Sequence, residues 1–248
     1  MIAYDIYGDT DAPILIFLHG AMSTHSFTNQ YYLADRFCIV VPHLFGSGEE
    51  ITTVYTPEAQ LVALEKLVIS LSSRPKYIIG HSLGAELALA LMVRNPKEFS
   101  GVVFLSPWVN STTKYSQLFA RLAPVLYLST RWQWLQKWQL KQWNYSHEQT
   151  QFHLDYIRKT TRENCRNFYV NRIHLDDYPE YKQIQLPMLA ICGSREFSEI
   201  KSSLQEMGRR NPNCKTMVLT GLSHDFPQRK FKELNPIIEE FLANCKDI

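Results

Sequence analysis

Apolar residues along this chain fall into short unbroken runs, and the stretches between them carry apolar positions at helical spacing. Ile14-Leu15-Ile16-Phe17-Leu18 is one such run, and Phe37 to Val41, Gly101 to Leu105 and Pro187 to Cys192 are others. Runs of this length predict strands buried on both faces. Ile2 to Tyr7 predicts a first, edge strand, Lys76 to Ile79 a strand feeding a turn, and Lys215 to Leu219 the last strand. Between them, Thr56 caps a helix with Pro57 at its first position and Glu58 in its first turn. Leu61, Leu64, Leu67, Val68 and Leu71 share one face of that helix. Further helices are predicted up to about Asn95, where Pro96 stops the helix, from Ser198 to Arg210, and after Pro227. The last presents Phe231, Leu234, Ile237, Ile238, Phe241 and Leu242 to a core. Strands alternating with helices predict a mostly parallel sheet covered on both faces.

Residues 108–182 break the pattern. Strand-like runs vanish, polar and aromatic residues mix at helical spacing, and all five tryptophans lie in the first half. This predicts a helical insertion between two strands. The core would then comprise residues 1–107 and 183–248, with 108–182 as a cap. Trp134 and Trp138 share a face at i, i+4.

The stretch with chemistry in it is Ile78-Ile79-Gly80-His81-Ser82-Leu83-Gly84, followed by an Ala/Leu-rich run of high helix propensity. A G-x-S-x-G between strand and helix is the context of a nucleophile elbow. The tight turn lifts the Ser82 hydroxyl clear of the sheet, and free N–H groups at the helix start favour negative charge there. The N–H of Leu83 is one candidate oxyanion donor. His19-Gly20-Ala21-Met22 follows a buried strand, where α/β sheets place ligands, and offers the N–H of Ala21 as a second. His19 itself reads as a residue that holds its loop. Two more polar groups end strands: Glu196 in Gly193-Ser-Arg-Glu and His224 in Gly221-Leu-Ser-His. Strand C-termini of a parallel sheet share one edge, so these groups can converge with Ser82.

With these motifs in the order nucleophile, acid, histidine, the chain resembles the α/β-hydrolases over nearly its whole length. The resemblance implies a mostly parallel twisted sheet with helices on both faces and a helical cap inserted after the family's sixth strand, here Gly101 to Leu105. It implies Ser82 as nucleophile, His224 as base and Glu196 as the acid that orients it, with Ala21 and Leu83 as oxyanion donors. His19, Met22, His81, Trp108, Trp134 and Trp138 are the expected substrate-binding residues. The sequence departs from the family pattern in three places. The acid is Glu rather than the commoner Asp, with Glu199 as the nearest rival. Ser106 and Asn110, not a carboxylate, follow the sixth strand, and His43 opens a loop that usually opens with Asp. The implied activity is cleavage of an ester, thioester or related acyl bond of a small apolar or aromatic substrate. Cleavage of a carbon–carbon bond on the same residues and a non-catalytic small-molecule receptor are the alternatives, since a fold does not settle chemistry.

Composition narrows the partners. The 248 residues carry 26 basic and 24 acidic side chains, a balance that gives no electrostatic case for nucleic acid. No apolar run approaches the length that spans a bilayer, so no membrane partner is expected. Five cysteines, odd in number and without C-x-x-C spacing, predict reduced thiols in a cytoplasmic protein. The N-terminus has no basic segment followed by an apolar one, hence no expected signal peptide. No metal or cofactor is expected.

Overall fold

The computed structural model describes residues 2–111 and 114–245, the side chain of Lys114 excepted. Seven strands form one sheet: β1 (Tyr4–Tyr7), β2 (Ile14–Leu18), β3 (Cys38–Pro42), β4 (Lys76–His81), β5 (Gly101–Leu105), β6 (Met188–Gly193) and β7 (Cys214–Leu219). Their spatial order is β1-β3-β2-β4-β5-β6-β7. Only β1 runs antiparallel, with Tyr4 opposite Pro42 and Tyr7 opposite Ile39. Every residue of β2 through β6 is buried, as unbroken apolar runs require of strands covered on both sides. The edge strand β7 is largely exposed.

Two apolar layers flank the sheet. One contains α1 (Pro57–Ser70), α2 (Leu83–Arg94) and, further along the chain, α7 (Ser198–Arg210). The other contains the closing helix, which follows a short α8 (Phe226–Arg229) and is α9 (Phe231–Asn244). Thr56 caps α1 by accepting from the Ala59 N–H at 3.3 Å. The first ten residues of α2, Leu83 to Met92, are all buried, including Glu86. A helix apolar all round belongs in the middle of a domain, and α2 lies against β4.

Between β5 and β6 the chain forms α3 (Lys114–Ser129), α4 (Gln133–Gln142), α5 (His147–Ile157) and α6 (Arg162–Val170), the helical stretch expected after the strand matched to the family's sixth. A capping box at Ser146 and Gln149 starts α5, and Thr161 caps α6. Asn164 pins this insertion to the core: its Oδ1 accepts from Tyr55 N–H at 2.8 Å, and its Nδ2 donates to the carbonyls of Ile51 and Thr53. Arg172, just past α6, meets Glu86 of α2. Among the described residues no helix is long and apolar enough to cross a membrane.

Candidate active site

Parallel pairing of β2, β4, β5 and β6 brings their C-terminal ends to one rim. Ser82 follows β4 directly, with φ 54° and ψ −115°. A non-glycine residue there is strained, and such strain persists only where the surroundings enforce it. The surroundings here are two glycines. A Cβ on Gly84 would lie 1.8 Å from the Leu18 carbonyl oxygen, and one on Gly80 would lie 2.3 Å from that of Gly84. Strand and helix can approach this closely only without side chains at those positions. Met22 (φ 57°) and Ser106 (φ 52°) are also in the left-handed region, so three of the four such non-glycine residues described surround this rim.

His224 lies between Ser82 and Glu196. Its Nδ1 is 2.7 Å from Glu196 Oε2 and its Nε2 is 3.0 Å from Ser82 Oγ. Because a carboxylate can only accept, Nδ1 carries the proton and Nε2 is free to accept from the serine hydroxyl. The Glu196 side chain is buried, and its other oxygen accepts from Ser106 Oγ–H and Gly193 N–H, each at 2.8 Å. Burial by itself would raise this carboxyl. The hydrogen bond and charge of His224, with the bonds from Gly193 and Ser106, more than offset it and hold Glu196 below its ordinary value.

A cavity of about 140 Å³ opens in front of Ser82. Ala21, Leu83 and His224 border it at the serine end. Leu83 is the first residue of α2, so its N–H has no partner within the helix. Trp108, Phe197 and Ile200 line one part of the wall, and Phe119, Phe168 and Tyr169 of the insertion close the rest. One buried ion pair completes it. Arg172 Nε donates to both Glu86 oxygens at 2.9 and 3.0 Å, and its guanidinium lies 4.0 Å from the centre of the Trp108 ring. Desolvation pushes the Glu86 carboxyl up against the opposing pull of Arg172.

Several expected substrate-binding residues lie elsewhere. Trp134 and Trp138 are 70% and 60% exposed, and neither borders the cavity. The face they share points away from the protein because the opposite side of α4, with Gln136 and Leu140, is the buried one. His19 is buried behind the rim: its Nδ1 bonds the Gly20 carbonyl at 2.7 Å and its Nε2 accepts from Leu44 N–H at 3.2 Å. Burial depresses it to about 3, so it is a neutral tie between two loops. His81 is equally buried and also falls to about 3, and its Nε2–H donates to the His224 carbonyl at 2.9 Å. It supports the His224 backbone from below. Met22 donates its N–H to Ser47 Oγ and borders a smaller cavity with His25 and His153. Trp108 does line the main cavity, with its indole N–H on Glu199 at 3.1 Å. That bond occupies Glu199, the rival carboxylate. His43, at the position where the family usually has Asp, meets Asp5 of β1 through its Nε2 at 3.1 Å.

Sequence reading did not single out the Glu86–Arg172 pair or the hydroxyl of Ser106. Glu86 sits four residues after Ser82, one helical turn on, and an acid inside an Ala/Leu run was the available signal. Arg172 lay in a stretch with no readable pattern.

A rim of strand ends holding a strained serine, a histidine and a carboxylate is a feature of one large class of α/β proteins. A model described as the alpha/beta hydrolase family matches residues 15–235, and the chain belongs to that family. Among solved structures, a carboxylesterase of the thaumarchaeon Nitrososphaera gargenis is similar with a TM-score of 0.78 and 19% identity, over 99% of this chain and 96% of that one. MenH from S. aureus gives 0.77 and 16%, over 99% and 100%. At these identities the likeness is one of fold. The magnesium-chelatase 30 kDa subunit of Rhodobacter capsulatus is 35% identical over 94 residues, 36% of this chain and 33% of that protein. The match thus spans about a third of that relative.

Proposed function

We propose that this protein is a serine hydrolase that cleaves an ester, thioester or related acyl bond through an acyl-enzyme. The observation that carries the reading is the continuous relay from Ser82 Oγ through His224 to Glu196, with each contact at 3.0 Å or less. Ser82 attacks the acyl carbon as Nε2 of His224 takes its proton. The N–H groups of Ala21 and Leu83 hold the developing oxyanion, each contributing on the order of 3 kcal/mol. The imidazolium then gives its proton to the leaving group, and water reverses the sequence. Glu196, held ionised by its three donors, stabilises the imidazolium and fixes its tautomer. Ser106 acts through Glu196 as a positioning residue.

The cavity favours a small substrate. Its volume of about 140 Å³ falls below the several hundred Å³ typical of drug-sized sites, and Trp108, Phe119, Phe168, Tyr169 and Phe197 give its wall an aromatic character. Helices of the insertion supply part of that wall, which supports reading 108–182 as a cap over the site. The unpaired, buried cysteines fit a reducing, cytoplasmic setting.

A fluorophosphonate probe should label Ser82, and p-nitrophenyl esters of short acyl chains should be turned over. Ser82→Ala should abolish labelling and lower kcat by roughly a thousandfold or more. A folded protein that takes no label and turns over no ester would refute the reading, and ligand-induced stabilisation of that unlabelled protein would point to a receptor instead.

A further inference from the structure

The outer face of α3 and α4 inverts the usual arrangement of a surface helix. On α3 the exposed positions are Gln117, Leu118, Arg121, Leu122, Pro124, Val125 and Leu128, while Ser116 and Ala123 are buried. The exposed apolar residues recur at three- and four-residue intervals, one continuous stripe of a helix. After the connecting Trp132, itself exposed, α4 presents Trp134, Lys137, Trp138 and Lys141 outward. Its buried side includes Gln136, which is held by His153 at 3.1 Å and donates to the Ser129 carbonyl. Large apolar groups therefore face water on both helices, while the buried positions include Ser116 and Gln136 beside Ala123 and Leu140. An isolated exposed leucine needs no explanation, but large apolar side chains exposed along two consecutive helices point to an interaction surface.

Charge identifies what the surface meets. Residues 115–145 hold four basic side chains, Arg121, Arg131, Lys137 and Lys141, and no acidic one. All four are exposed. The chain as a whole is only +2, so the remainder is net negative, and this stretch stands out as basic because it lacks acidic residues. Exposed tryptophans interleaved with lysines, beside leucines and valine, match the chemistry of a helix lying in a membrane interface: indoles at the headgroup level, apolar chains below, cations against phosphates. A second copy docking by the same face would set like charges against each other.

We propose that the α3–α4 face docks this protein peripherally on an anionic lipid bilayer, without crossing it. This departs from the expectation of no membrane partner, which rested on spanning length. Spanning length does not register a local basic-aromatic surface. The site lies nearby, because Phe119 of α3 borders the cavity while Leu118 and Leu122 face out. Docking would set the wall of the cavity against the lipid surface. The inference stands on surface chemistry alone and does not depend on the activity proposed above.

Co-sedimentation of the full chain with vesicles tests it. The protein should bind vesicles of phosphatidylcholine mixed with phosphatidylglycerol, bind pure phosphatidylcholine more weakly, and lose affinity as salt is raised. Trp134→Ser with Trp138→Ser, and separately Lys137→Glu with Lys141→Glu, should each weaken binding to the mixed vesicles by about tenfold or more. All four positions are exposed, so circular dichroism melts should match wild type. No binding to the mixed vesicles would overturn the proposal, as would binding that both double variants leave unchanged. A concentration-dependent dimer that dissociates in the tryptophan variant, without vesicle binding, would overturn it in favour of a second copy.

Discussion

The α2 and α4 helices are of similar length and occupy opposite environments. From Leu83 to Met92, α2 buries every residue, including a glycine and a glutamate. In α4 only Gln136 and Leu140 are buried, although it carries two tryptophans and two leucines. Side-chain hydrophobicity therefore does not decide burial alone. What decides it for α2 is attachment: β4 delivers the helix into the sheet through a turn with no slack, and strands on both sides of β4 leave it nowhere to go but the core. The α4 helix hangs from loops at both ends and rests on α5, so one narrow face suffices. The chemistry follows the same division. Strained backbone sits where β2, β4 and β5 end, and exposed aromatic surface sits on the insertion.

The sharpest way to break this comparison is at the elbow. Gly84→Ala would place a methyl group 1.8 Å from the backbone oxygen of Leu18 and 2.8 Å from that of His19. Neither is a side chain that can swing away, so strand β2 and helix α2 must separate. We expect a loss of about 4 kcal/mol or more, or failure to fold, read from denaturant midpoints. A variant with near-native stability would show that the strand–helix contact is looser than this geometry requires.

The same division governs what was legible in the sequence. The central strands β2 to β6 were the most legible, since a strand buried on both faces has no polar side to confuse the pattern, while the edge strands β1 and β7 carry polar and exposed positions. Ser82, Glu196 and His224 were legible because each ends a strand, and strand ends converge by topology. In the insertion, periodicity correctly put Trp134 and Trp138 on one face but could not say which way that face turned. Orientation there depends on packing against α5 and the core, through contacts such as Gln136 with His153 and Asn164 with Tyr55. His19 and His81 were legible as residues near the site, but their burial, which makes them neutral ties, comes from neighbours distant in sequence. The Glu86–Arg172 pair joins positions 86 residues apart, and its one local trace was an acid inside an Ala/Leu run.

That pair is where the two regions meet, and it offers a middle-sized test. Both side chains are nearly solvent-free, and Glu86 Oε2 also accepts from the Ile173 N–H at 3.2 Å. Glu86→Ala would leave a buried guanidinium without its counter-charge and should cost about 3 kcal/mol. The double variant Glu86→Leu with Arg172→Met removes both charges while keeping volume, and should recover most of that loss. Failure of the double variant to recover would mean that the charges, and not the packing between core and insertion, hold this junction.

The smallest expected effect lies on the outer face of α4, and its smallness is informative. Trp134 makes little contact, being 70% exposed, and Trp134→Ser should change the unfolding free energy by no more than about 0.5 kcal/mol. Trp108→Ala, by contrast, removes a buried ring that borders the cavity, stacks under the Arg172 guanidinium and bonds Glu199, and should cost about 3 kcal/mol. The two residues are the same amino acid, 26 positions apart, so propensity and composition cannot separate them. If Trp134→Ser destabilised the protein as much as Trp108→Ala, the outer face would be part of the folded core in solution, and its tryptophans would be accounted for by stability. A null effect on stability leaves their exposure unexplained by folding, which is the condition under which a role at a surface outside the protein has to be sought.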